Sequence, residues 1–398
     1  MTATPSGLTR AQITRTMVAV IGSTFIALVG QFMLTPWIVF QLEAQGYAAS
    51  TIGWFSTATW LGLLLTTPFA SQLVVLIGQR TALLLSLGVP LLTAVGIALT
   101  DTPLFWAAMM FLSGTAMAVR WIVAEACIAE IAPPERRGRL VSLYQCLLSV
   151  SFILAPVLLA WLQPANPNVP SIAALFLAAG FLLTYAVPKL SLDHHSEDQT
   201  GVRGLAQAAL RNPALVIAGF LGGMFELGIT GLLPVFGLDA GFEAGAAAML
   251  IAVAGVGSML VMIPLGEAAD RFRPRPIKLV CVAVLVLGAM LAFSVVQLPP
   301  VLWMIAFAWG AAGGALYTIT MITLGRTARG SMLISATSML VLSYTAGGLI
   351  GPVLAGYALE ISRQWGLGLI GVVLSVFGGW LITRYASKAD EPPARAAS

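Results

Sequence analysis

Charge is what this sequence has least of. Asp, Glu, Lys and Arg make up 9% of its 398 residues, where soluble domains carry about 25%. A surface that poor in charge cannot keep a globule of this size in water. Histidine and cysteine are scarce too. His194 and His195 stand together in a polar stretch with Asp193 and Glu197, and adjacency in sequence does not make the convergent ligand set a metal needs. Cys127, Cys146 and Cys281 all fall inside apolar runs; they read as small buried hydrophobes, with neither disulfide nor metal spacing. No phosphate-cradling glycine loop and no nucleophile elbow is present. The sequence therefore marks no enzyme, no cofactor and no metal site. The net charge of +4 is spread over short loops, so it is no footprint for nucleic acid. No short apolar region with a small-residue cleavage pattern follows the polar start, which argues against a cleaved signal peptide.

What is there is apolar. Hydrophobic residues reach 59% and the mean hydropathy is +0.93. A bilayer span needs about 20 mostly apolar residues, and twelve such stretches can be read: 13–39, 51–76, 81–99, 103–131, 140–162, 169–187, 213–236, 244–268, 277–296, 300–324, 332–359 and 366–385. The expected fold is an all-α polytopic membrane protein of twelve transmembrane helices in two pseudo-symmetric six-helix bundles. The polar segment 188–212 at mid-chain is a central linker between bundles 1–187 and 213–398, the second ending in a short tail. If the N-terminus is cytoplasmic, every Lys and Arg except Arg120 and Arg363 falls in a cytoplasmic segment or at a cytoplasmic helix end. That segregation follows the positive-inside rule, so both termini are expected inside.

The halves repeat each other. Pro36 and Pro234 lie near the outer end of the first span of each half, and Pro68 and Pro264 toward the inner end of the second. The pairs Arg137-Gly138 and Arg329-Gly330 recur between the fourth and fifth spans. Such internal symmetry is common in secondary transporters.

Gly266-Glu267-Ala268-Ala269-Asp270-Arg271-Phe272-Arg273-Pro274-Arg275 resembles the loop signature G-x-x-x-D-R-x-G-R-[RK] of the major facilitator superfamily. The first-half counterpart keeps only Gly78 and Arg80 of its polar end. The run from Gly347 to Gly356, with Gly351-Pro352, is similar to the Gly-Pro signature of the superfamily's antiporters, here in span eleven rather than span five. Arg120-Trp121-Ile122-Val123-Ala124-Glu125 followed by Arg136-Arg137-Gly138 looks like the YcaD-like bacterial group. The resemblance implies that spans one, four, seven and ten line a cavity, and that an arginine in span four serves proton coupling. It also implies that Asp270, with Arg271 and Arg275, belongs to a cytoplasmic gate, together with Gly266, Arg136 and Arg137.

Charges inside spans are expensive unless they meet a partner or a cavity. Arg120 lies about 11 residues from the inner end of span four, roughly 16 Å, near mid-bilayer. Glu125 is five residues on, about 500° of turn, so the two point some 140° apart and do not pair cleanly. Arg120 reads as a cavity charge that binds an anion or tunes a carboxylate, or else as half of a structural ion pair. Glu226 lies about 14 residues into span seven, roughly 21 Å deep. A carboxylate in a low-dielectric setting holds a proton more readily than one in water, which makes Glu226 the first candidate for a proton carrier and Glu125 the second. Gln31, Trp121, Trp309 and Tyr317 complete a binding cleft for an amphipathic ligand. Trp54, Trp106, Trp161 and Trp365 read as interfacial anchors. Gly347, Gly351 and Pro352 serve close helix packing.

The sequence thus points to a secondary transporter of the bacterial inner membrane, a monomer in the lipid bilayer whose partners are protons and a small-molecule substrate. Proton-coupled export of a small amphipathic or anionic compound is the favoured activity. Proton-coupled uptake of an organic acid or metabolite is the alternative. A membrane sensor or assembly partner that no longer transports is the third reading.

Overall fold

The computed structural model describes residues 10–131, 137–185, 202–294, 298–327 and 330–385, and these hold helices and no strand. Backbone groups in lipid must be satisfied within the segment, which is why long apolar runs fold this way. Nine helices among the described residues are long and apolar enough to cross a bilayer, and two shorter apolar helices, Cys146–Leu162 and Val169–Thr184, join them. With the interrupted second span, the described residues hold the twelve segments expected from the sequence.

The chain divides into two compact units. Unit 1 comprises Met1–Leu42 and Ala58–Ser196; unit 2 comprises Glu43–Thr57 and Glu197–Ser398. The segment 43–57 therefore belongs with the second unit, although the helix it ends and the helix that follows it belong to the first.

Unit 1 holds most of α1 (Arg10–Ala44), then α3 (Ala58–Thr66), α4 (Ala70–Ile77), α5 (Gln79–Ala98), α6 (Pro103–Ile131), α7 (Arg137–Leu162) and α8 (Val169–Thr184), while α2 (Ala49–Ser56) belongs to unit 2. The second span was expected to be continuous over 51–76. It is broken instead: a 3-10 turn, Thr67–Phe69, separates α3 from α4. Pro68 lacks the N–H an α-helix would need there. Gly78, at φ +81°, then ends α4. Glycines set how closely helices approach. A Cβ on Gly30 would stand 2.7 Å from the Ala173 carbonyl oxygen, and one on Gly180 2.8 Å from that of Ser23, so α1 and α8 touch through their backbones.

Unit 2 continues with α9 (Val202–Arg211), α10 (Pro213–Gly223), α11 (Leu233–Asp239), α12 (Ala244–Arg271), α13 (Pro274–Ser294), α14 (Pro299–Thr327), α15 (Gly330–Ile361) and α16 (Gly366–Arg384). The linker's second half is thus helical. In α9, Leu205 and Ala208 are buried while Leu210 and Arg211 stand out. Span seven is not a uniform α-helix. Between α10 and α11 it passes through a π-helical turn, Met224–Gly228, and a 3-10 turn, Ile229–Leu232. Single π turns of this kind concentrate at functional sites. The short α2 packs on α15: Ser50 donates its Oγ–H and its N–H to Glu360 Oε1 at 2.6 and 3.1 Å.

Arg363, in the short connection between α15 and α16, gathers two carboxylates. Its Nη1 donates to Asp239 Oδ1 at 2.6 Å and to Glu43 Oε1 at 3.0 Å. The Asp239 bond, then the Glu43 bond, holds the guanidinium above its ordinary pKa. The two acids end α11 and the last turn of α1, equivalent places in the two halves of the sequence.

Two side chains depart from the sequence reading. Trp106 is buried at 1% exposure rather than anchored at an interface. Its ring lies 5.4 Å from that of Trp37, and its indole N–H donates to the Thr100 carbonyl at 2.7 Å. A buried indole needs such an acceptor, and the turn before α6 supplies it. Cys146 is exposed, not buried. In a spanning helix an apolar position can face hydrocarbon, so hydropathy alone does not bury a thiol. Trp54 and Trp161 are exposed as anchors should be, at 57% and 79%.

Candidate functional site

In unit 1 the candidate residues meet on the seam between α1 and α6. Arg120 is buried at 4% exposure. Its Nε donates to Thr24 Oγ1 at 2.9 Å, and its Nη2 to the Val20 carbonyl at 3.2 Å and to Ser23 Oγ. The hydroxyls of Thr24 and Ser23 themselves donate back to the Val20 carbonyl, at 2.8 and 3.1 Å. This is the usual way a serine or threonine satisfies itself within a helix. Each hydroxyl hydrogen is thereby committed, which leaves the lone pairs to receive the guanidinium. All these partners are neutral. Arg120 Nη1 is enclosed and has no hydrogen-bond partner.

Further along the same seam, seven residues beyond Thr24 on α1, Gln31 is buried at 4% exposure, and its Nε2 finds a sulfur acceptor, Met117 Sδ, at 3.5 Å. A thioether is a weak acceptor. Phe32 stacks on Phe152 with ring centroids 3.9 Å apart. Phe32 and Trp121 both pack on the core cluster that includes Met117 and Cys127.

In unit 2 the site is Glu226, within the π-helical turn and partly buried. Each of its carboxylate oxygens takes one hydroxyl. Ser258 of α12 donates to Oε1 at 2.5 Å, and Tyr344 of α15 donates to Oε2 at 2.6 Å. Thr230 closes the turn by donating its hydroxyl to the Glu226 carbonyl. Tyr317 of α14 lies against Tyr344, ring centroids 4.7 Å apart. No arginine or lysine among the described residues bonds the carboxylate.

Glycines make this convergence possible. A Cβ on Gly313 would lie 2.9 Å from Glu226 Cβ, and one on Gly314 would strike Ser258 Oγ and stand 3.1 Å from Glu226 Oε1. On α15, a Cβ on Gly347 would strike the Phe220 carbonyl, and one on Gly351 would stand 2.7 Å from the Gly228 Cα. Pro352 meets Gly53 of α2 through its carbonyl oxygen. Trp309 stands apart from the carboxylate. It is fully buried, packed edge-on to Phe225 at 5.5 Å, with its indole N–H on the Leu285 carbonyl at 3.3 Å.

The gate residues are only partly described. Arg271 pairs with Glu267 at 3.9 Å, both well exposed, and Arg275 donates to the Thr383 carbonyl at 3.4 Å. Gly266 has open space where a Cβ would stand. The side chains of Glu125, Asp270 and Arg137, and all of Arg136, lie outside the described residues. The sequence did not single out Ser23, Thr24, Ser258 or Tyr344. Each is an ordinary helix residue in its own span; what singles it out is the charge brought to it from another span.

Comparison with known proteins completes the picture. The family model described as Major Facilitator Superfamily matches residues 20–328 and 244–398. The MFS-type transporter YfkF of Bacillus subtilis (strain 168) is 24% identical over 360 residues, 88% of this chain and 90% of that protein. The MFS-type transporter YcaD of Shigella flexneri is 25% identical over 343 residues, 85% and 87% of the two chains. Among solved structures, the nucleoside transporter NupG superposes with a TM-score of 0.74 at 13% identity, covering 95% of this chain and 99% of that one. A D-xylose–proton symporter superposes with a TM-score of 0.71 at 13% identity, covering 95% and 99%.

Proposed function

This chain belongs to the major facilitator superfamily, a family of transporters rather than enzymes, and we propose that it works as a proton-coupled secondary transporter of the bacterial inner membrane. In this reading it exports a small amphipathic or anionic organic compound by alternating access. The observation that carries the reading is the setting of Glu226: a carboxylate at membrane depth whose partners among the described residues are the hydroxyls of Ser258 and Tyr344 and not a cation. A carboxylate paired with arginine would stay ionised through the cycle; one held by hydroxyls can take a proton and give it up.

Ionised, Glu226 accepts from both hydroxyls and ties the π turn to α12 and α15. Once it is protonated, one of the two hydroxyls must accept instead of donate, and the three helices hold one another differently. That is a route from proton to helix movement. On the other unit, Arg120 provides a charge for the substrate or for coupling, with Gln31 and Trp121 beside it. Export is favoured over uptake by the Gly-Pro run that contains Gly351-Pro352. Uptake of an organic acid is the second reading, favoured by the unmatched Nη1 of Arg120. Accumulation in inside-out against right-side-out vesicles separates the two.

The test of the proton site is Glu226→Gln in proteoliposomes under an imposed pH gradient. The variant should lose gradient-driven accumulation while keeping exchange of substrate across the membrane. Full gradient dependence in the variant would remove Glu226 from the mechanism.

A further inference from the structure

We infer that the seam around Arg120 is the seat of a single negative charge, so that the substrate is an amphipathic monoanion, a carboxylate on an apolar body. This deepens the transport reading above and rests on it. Two observations carry it independently. The first is that a guanidinium buried at 4% exposure is matched on Nε and Nη2 by neutral oxygens of α1 and on Nη1 by nothing. Among the described residues no carboxylate bonds this guanidinium; a buried cation is costly, and the cost falls when an anion joins it. Its three α1 partners cannot serve, because Ser23 and Thr24 have committed their hydroxyl hydrogens to Val20 and bring no charge. The second is Gln31, whose buried amide nitrogen has a methionine sulfur where an oxygen would bond better. Two under-satisfied donors thus lie along a single seam.

The seam also fixes the class of ligand. One guanidinium with one unmatched nitrogen suits one carboxylate; a dianion would bring a second charge with no second cation among the described residues of this seam. The surroundings are apolar and aromatic: the Phe32–Phe152 stack, Trp121 and Met117. They suit a hydrocarbon or aromatic body and give little to a sugar. Nη1 is enclosed in this state, so the carboxylate reaches it when the conformational cycle parts the seam rather than through an open cleft. Gln31, further along α1, then supplies an N–H to a polar group on the body.

The test uses matched pairs of probes that differ in charge and little in shape: benzoate with benzamide, and octanoate with octanamide. Purified full-length protein in detergent is melted and titrated with each, without any proton gradient. At least one carboxylate should raise the melting temperature and bind, and its amide should not. In Arg120→Gln that affinity should fall about tenfold or more, as truncating a buried charge partner does. Arg120→Lys should keep part of the affinity and the preference for the carboxylate. The seat is wrong if the amides bind as well as the carboxylates, if no carboxylate stabilises the wild type, or if Arg120→Gln binds undiminished. Should Arg120→Gln fail to fold, the matched pairs on the wild type still decide. Because binding is read without a gradient, this outcome is separate from that of the Glu226 experiment: either can fail while the other stands.

Discussion

Glu226 and Arg120 are both charges set in apolar helices, and hydroxyl groups hold both. Ser258 and Tyr344 each give one hydrogen bond to Glu226, so their contributions should depend on the carboxylate. A double-mutant cycle measures this. Tyr344→Phe and Ser258→Ala should each destabilise the protein by about 1–2 kcal/mol in chemical unfolding. In a Glu226→Gln background the same changes should matter less, with a coupling of about 1 kcal/mol. Strictly additive effects would mean the hydroxyls act elsewhere. Arg363 is about half exposed, with two carboxylates on one nitrogen. Arg363→Gln should therefore lower stability by no more than about 1 kcal/mol, and added salt should shrink the difference. The charged residues were legible in the sequence because a lone charge in an apolar run is conspicuous. Their partners were not: Ser258 is 32 positions from Glu226 and Tyr344 is 118, and neither looks unusual in its own span. Cys146 and Trp106 were misread for a related reason, since hydropathy marks a residue as apolar without saying whether lipid or protein covers it.

At the scale of the element, proline and glycine shape the helices more than apolar pattern does. Pro68 opens a 3-10 turn that ends α3, while Pro36, Pro156, Pro264 and Pro352 sit inside helices that continue. Membrane helices tolerate such prolines where neighbours re-satisfy the freed groups. The outcome at each depends on those neighbours, so the sequence gives the position of the proline and not whether the helix breaks. The π turn over Met224–Gly228 has no proline at all, and an unbroken apolar run hides it. Glycine contacts make a sharper prediction. A Cβ on Gly223 would strike the Tyr344 carbonyl, whereas one on Gly231 meets nothing within 4 Å. Gly223→Ala should push α15 away from span seven and destabilise the protein by about 1–3 kcal/mol. Gly231→Ala should be neutral or raise stability by up to about 1 kcal/mol. Equal effects from the two would mean that the close approach of α10 and α15 is not what the glycine serves.

For the whole molecule, the architecture followed from composition, span count and internal repeat, because a chain this poor in charge has few folds open to it. Contacts gave the membership of segment 43–57, which no local pattern announces. The lysine and arginine bias predicts that both termini face the cytoplasm. A fluorescent protein fused after Ser398 should fold and emit, and alkaline phosphatase fused at Trp365 should be active; the reverse pattern would invert the topology. The central claim is that ionisable groups persist at bilayer depth because water reaches them from each side in turn. The most direct measurement is thiol labelling of Tyr317→Cys, beside Tyr344 in the Glu226 site, with Cys146 replaced and a membrane-impermeant reagent applied to one face of sealed vesicles at a time. The account predicts labelling from either face, with substrate or pH shifting the balance between them. A thiol that reacts from one face only, or from neither, under every condition would contradict it.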